Sequence, residues 1–175
     1  MYYLRDYMIL FLLYGCYYFG FWRKEQRSVL VLKTLFFLYL IVVCRVTLMP
    51  FQFPFPLSNP DFLRSANFVP FYDLTMHYRY AKQDIILNIA MTVPFGFLFP
   101  ITKRKNVIQT ITFAFLCSLS IETIQLLYVW SNQNFTRTFD VTDIITNTIG
   151  ALLGYIVYRL FRPIIEYLFS LAIPD

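Results

Sequence analysis

Charge is what this sequence has least of. Asp, Glu, Lys and Arg make up 14% of its 175 residues, against about 25% in ordinary soluble domains. With 58% hydrophobic and 21% aromatic residues the chain cannot cover itself with polar surface, which excludes a soluble domain and puts it in a bilayer. Histidine is nearly absent: His77 stands alone, so it reads as a surface residue and no metal set is expected. The three cysteines, Cys16, Cys44 and Cys117, are scattered through apolar runs with no disulfide framework or metal spacing, and core packing is their simplest role. A phosphate-cradling loop and a nucleophile–base pair are both missing, so no cofactor is expected. The formal charge of +5 flanks apolar runs, which points to membrane topology and away from nucleic acid.

What is present are long apolar runs. Five candidate spans cover residues 2–22, 28–49, 84–101, 107–130 and 143–161. At about 1.5 Å per residue each approaches the roughly 30 Å of a hydrocarbon core. Arg5 and Asp6 shorten the apolar part of the first, which lacks the small-residue cleavage site of a removed signal peptide. Residues 164–173 are too few to span and are expected in the interface. The fold expected is an all-α integral membrane protein, a compact bundle of about five transmembrane helices.

Arg23, Lys24, Arg27, Lys103, Arg104, Lys105, Arg159 and Arg162 cluster at helix ends on one side. Arg5, Arg64, Arg79, Lys82 and Arg137 are spread through the other. The positive-inside rule puts the first group and the C-terminus in the cytoplasm and the N-terminus outside. The outer loop, residues 50–83, has too many prolines for a long helix and too many aromatics for a free linker. It is expected at headgroup level, partly lidding the helices or only anchoring them.

Polar residues interrupt the later spans. Glu122 lies about 5 Å outward of its helix middle, and Asn88 and Asn147 about 7 Å outward of theirs. Asp84 and Asp143 sit near the outer mouth. Asp140, Asp143, Asn147, Gly150 and Gly154 step by three and four residues into one stripe. Its lower part has the small-xxx-small spacing of close helix packing. Ser118, Glu122 and Gln125 form a second stripe, and Asp84 and Asn88 a third. Together they predict a polar pocket open to the outer leaflet. Arg45, about 10 Å outward in the second span, needs to snorkel or to meet Glu122, Asp84 or Asp143. Pro94-Phe95-Gly96 offers a break in the third span. Buried Asn and Gln also tie helices together, at about 0.6 kcal/mol each, so Asn88, Gln125 and Asn147 carry that reading beside ligand contact. Ion pairs make costlier ties, which favours a site for Glu122 and Asp143 with Arg45 or Arg137. Asn134-Phe135-Thr136 fits a glycosylation pattern in a loop short for that use.

Several of these pieces form a recognisable set. They are Thr47-Leu48-Met49-Pro50-Phe51, Asn67-Phe68-Val69-Pro70-Phe71, Asn88 with Pro94-Phe95-Gly96, and Glu122 with Gln125. Arg137 then precedes Asp140, Asp143, Asn147, Gly150 and Gly154. The set resembles the VanZ-like family over residues 47–158, leaving a hairpin at 1–46 and a tail at 159–175. The resemblance implies a bacterial plasma-membrane protein of a family associated with low-level resistance to teicoplanin, a lipid-tailed glycopeptide that acts on cell-wall precursors outside the membrane. The expected partners are membrane lipids and a lipid-linked precursor or lipoglycopeptide. The ligand-binding set expected is Arg45, Asn88, Glu122, Gln125, Arg137, Asp140, Asp143 and Asn147. Binding or shielding such a molecule is the leading function. An intramembrane enzyme using Glu122, Asp143 and Arg137, or a small transporter, are the alternatives.

Overall fold

A computed structural model describes residues 2–51, 59–103, 105–131 and 138–171. The chain is an all-α membrane bundle. α1 (Tyr2–Tyr17) runs into a π turn, Tyr18–Trp22, and is followed by α2 (Arg27–Thr47). After the outer loop, with its 3-10 turn Phe62–Ser65 and short α3 (Tyr72–Thr75), come α4 (Ala81–Lys103), α5 (Val107–Trp130) and α6 (Val141–Leu171). α2, α4, α5 and α6 are each long and apolar enough to cross a membrane. α1 has 16 residues and gains that length only through the five-residue π turn.

Two expectations of continuity are corrected. α4 does not break at Pro94-Phe95-Gly96 but remains helical through both Pro94 and Pro100. α6 likewise passes Pro163 without interruption and has 31 residues, about 46 Å at the helical rise. Residues 164–171 are therefore continuous with this helix and form its end.

The centre of the bundle is the α4–α6 contact, made possible by glycine. A Cβ at Gly96 would overlap the Ala151 carbonyl oxygen; at Gly150, the Ile89 carbonyl oxygen and Thr92 Oγ1; at Gly154, the Val93 carbonyl oxygen. With no side chains between them the two backbones touch, which is how helices without a hydrophobic drive gain dispersion energy in lipid. Phe95, Phe99, Ala114 and Ala151 form the adjoining core, with Phe36 and Tyr39 of α2 against it. A second cluster, Leu10, Ile41 and Met49, joins α1 to α2 and takes in Cys44. Cys16 and Cys117 are exposed on the bundle surface, contrary to the core packing expected of them.

Several threonine hydroxyls inside the helices are satisfied locally. The hydroxyls of Thr92, Thr110, Thr146 and Thr148 donate to carbonyls one turn back, as a medium without water requires. Asn106 caps α5 by accepting the Gln109 N–H at 2.9 Å, while Gln109 Oε1 accepts the Asn106 N–H. Asp6, fully buried in α1, accepts from Arg5 at 3.0 Å and from the Phe51 N–H at 2.8 Å. The charge that shortens the first apolar run thus ties α1 to the start of the outer loop.

Candidate functional site: an acidic cavity at one end of the bundle

The outer loop is built onto the ends of α5 and α6. The Asn59 N–H donates to the Trp130 carbonyl at 3.0 Å, and Phe62 stacks on Trp130 with ring centroids 4.6 Å apart. Asn67 then pairs with the chain entering α6. Its N–H donates to the Phe139 carbonyl at 2.8 Å, and its carbonyl accepts the Val141 N–H at 3.0 Å. Its side chain bridges Asp140 Oδ2 at 3.1 Å and the Val69 N–H at 3.1 Å. Phe71 follows with φ 58°, a left-handed conformation costly for a bulky residue. The Phe71 N–H donates to Thr142 Oγ1 at 2.9 Å, which holds the turn in place.

This folding borders a half-open cavity of about 540 Å³ between α2, α3, α4, the end of α5 and the start of α6. Four aspartates line it, Asp73, Asp84, Asp140 and Asp143, together with Asn88 and Gln125. Val42, Val46, Phe71 and Met91 are among its apolar walls. Among the described lining residues there is no Lys or Arg. Gln125 is 2% exposed and its Nε2 donates to the Thr47 carbonyl at 3.1 Å, fastening the cavity floor to the end of α2. Asp140 Oδ1 accepts the Thr142 N–H at 2.6 Å at the start of α6. Burial raises the Asp73 carboxyl above its ordinary range, and the charges of Asp140 and Asp84 push it the same way. Asp73 therefore feels both of these carboxylates. Such a set accepts hydrogen bonds and attracts cations, so it suits hydroxyl-bearing or ammonium-bearing groups.

Of the eight residues expected from the sequence, Asn88, Gln125, Asp140 and Asp143 meet at the cavity. Glu122 lies beneath it, 2% exposed, with Oε2 accepting the Asp140 backbone N–H at 2.9 Å. It positions a lining residue without lining the cavity itself. Asn147 is deeper in the helix contact, 3% exposed, donating to Ser118 Oγ at 2.9 Å, while its Oδ1 has no partner among the described residues. Arg45 forms no ion pair with Glu122, Asp84 or Asp143; its guanidinium lies 4.4 Å over the Tyr3 ring, on the side of α2 that faces α1. Arg137 and the Asn134-Phe135-Thr136 pattern lie outside the described residues. Asp73 is the lining residue that sequence reasoning missed. Its signal was an acid in the middle of an aromatic, proline-rich loop.

Comparison with known proteins agrees with this arrangement of motifs. The VanZ/LLP1 family model matches residues 36–162. Protein VanZ of Enterococcus faecium is 30% identical over 124 residues, which cover 70% of this chain and 70% of that protein. No solved structure matches. The matched region takes in all of the cavity, the loop that closes it and the glycine contact beneath it, and on this basis the chain belongs to the VanZ/LLP1 family.

Proposed function

We propose that this chain is a bacterial plasma-membrane protein whose acidic cavity opens at the outer leaflet. There it binds or shields a lipid-linked cell-wall component or lipoglycopeptide, and so lowers susceptibility to teicoplanin. The observation that carries this reading is the cavity itself, with four aspartates, an asparagine and a glutamine converging from α3, α4, α5, α6 and the residue that precedes α6. Carboxylates at membrane depth are expensive, and a chain keeps them where they face a polar ligand or water. The family relation and the name of its E. faecium relative support the link to glycopeptides.

The lining favours one part of such a ligand. Carboxylates accept hydrogen bonds from sugar hydroxyls and attract an ammonium group. The sugar or amine of the ligand is therefore its proposed occupant, with the acyl chain left in the bilayer.

The outward orientation follows from charge. Asp84 lies in the first turn of α4 and Lys103 ends it; Asp143 lies in the first turn of α6 and Arg159 and Arg162 come later on the same helix. The basic end belongs in the cytoplasm by the positive-inside rule, so the acidic end faces out. In a background lacking the three native cysteines, Arg64→Cys is expected to react with a membrane-impermeant maleimide on intact cells and Lys105→Cys only after lysis. The reverse pattern would place the cavity inside and remove the proposed function.

A further inference from the structure

The opposite end of the bundle holds a second cavity, of about 1100 Å³, that the proposed function does not use. Lys33, Lys103, Lys105, Arg159 and Arg162 all line it. Two carboxylates share the lining, Glu25 and Glu166, and each is engaged: Glu25 with Lys33, and Glu166 with Arg162 at 2.7 Å. Among the described residues Lys103, Lys105 and Arg159 form no ion pair with a carboxylate. The tendency of basic residues to gather at one membrane face explains their presence near helix ends. It does not require that α2, the end of α4, the following turn and α6 aim them into one hollow.

The remaining walls suit a particular shape of anion. Tyr155 and Tyr158 contribute from α6, and Val29, Leu32 and Ile165 make adjacent apolar surface. A cationic centre beside apolar walls at the end of a membrane bundle matches a phosphate that carries acyl chains. Arg and Lys supply charge-assisted hydrogen bonds to its oxygens. We propose that this cavity binds the phosphate of an anionic phospholipid headgroup, with Lys103, Lys105 and Arg159 as its principal contacts.

The test uses the full chain extracted in mild detergent from vesicles of mixed phosphatidylglycerol and phosphatidylcholine, with retained lipid counted by native mass spectrometry. Wild-type protein is expected to retain phosphatidylglycerol in preference to phosphatidylcholine. Lys105→Gln with Arg159→Gln should lower that preference by on the order of ten-fold, from the loss of two cations near one phosphate. Arg23→Gln with Lys24→Gln removes the same charge from exposed positions outside the cavity and should leave the preference intact. Equal loss in both double variants would reduce the effect to net charge and overturn the site, as would no loss in either. Inorganic phosphate at millimolar concentration separates the sources of the anion. Persistence of the lipid in its presence supports a headgroup site, and displacement would assign the cavity to soluble phosphate and overturn the lipid.

Discussion

Gly150→Leu is expected to lower the melting temperature by roughly 10 °C or more, while Gly15→Leu changes stability little or raises it slightly. Both glycines are helical, so the loss of backbone freedom is similar and favours the substitution in each. The difference is what lies beside them. A Cβ at Gly150 meets the Ile89 carbonyl and the Thr92 hydroxyl, whereas nothing lies within 4 Å of one at Gly15. The hydroxyl can rotate away, but the carbonyl belongs to the α4 backbone and can yield only if the helices separate. Separation would also open the contacts at Gly96 and Gly154. Overpacking costs about 1–3 kcal/mol where side chains can absorb it, and a backbone clash lies at or above the top of that range. A loss of about 3 kcal/mol corresponds to a fall of roughly 10 °C in melting temperature for a domain of this size. Thermal unfolding in detergent checks the pair. A Gly150→Leu protein melting within a few degrees of wild type would mean that α4 and α6 are not in backbone contact.

The exchange Asn67→Asp with Asp140→Asn is expected to restore what either change alone removes. In the native arrangement the Asn67 amide donates to Asp140 Oδ2, and Asp140 Oδ1 accepts the Thr142 N–H. Asp140→Asn by itself turns an amide NH₂ toward one of two donors, Asn67 Nδ2 or the Thr142 N–H. Asn67→Asp by itself brings two carboxylates together. Each single change should cost about 1–2 kcal/mol, the usual toll of a broken, partly buried hydrogen bond. In the double variant the amide of Asn at 140 can donate to Asp at 67, while its oxygen still accepts from Thr142. A coupling of about 0.5–3 kcal/mol is the range for residues in direct contact. Hydrogen exchange at the Asn67 and Val141 amides reads the same event locally, because each donates across this junction. Fast exchange in both single variants and slow exchange in the double is the expected pattern. Additive losses would show that the loop is not held by this pair.

The helices and their closest contact were legible because both depend on local periodicity. Apolar runs of about 20 residues mark spans, and Gly150 with Gly154 falls on one face by helical spacing alone. Height was legible only in part: Asn88, Gln125, Asp140 and Asp143 meet at the cavity, while Glu122 and Asn147 lie deeper. Azimuth was not. Arg45 was placed at the right height to meet a carboxylate, but it lies against Tyr3 of α1, while Val42 and Val46 of the same helix line the cavity. One residue in α2 turns a side chain by about 100°, and no periodicity says which neighbour each side of α2 will meet. Glu122 shows the same limit between layers. Residue counting puts it at the level of the polar set, yet its carboxylate accepts the Asp140 backbone N–H and does not line the cavity. Asp73 was hidden for another reason. Its position depends on the Asn67–Asp140 junction and on the left-handed turn at Phe71, which are set by contacts more than 70 residues apart in sequence.

The central claim is that the acidic cavity contacts a ligand and is more than a tie between helices. It is tested most directly by teicoplanin susceptibility measured beside immunoblot abundance in cells carrying Asp84→Asn with Asp143→Asn. Both residues line the cavity, and each replacement keeps size and hydrogen-bonding capacity while removing a charge. The account predicts that protection is lost while the protein remains in the membrane at near-normal amount. Wild-type protection at equal abundance would contradict it.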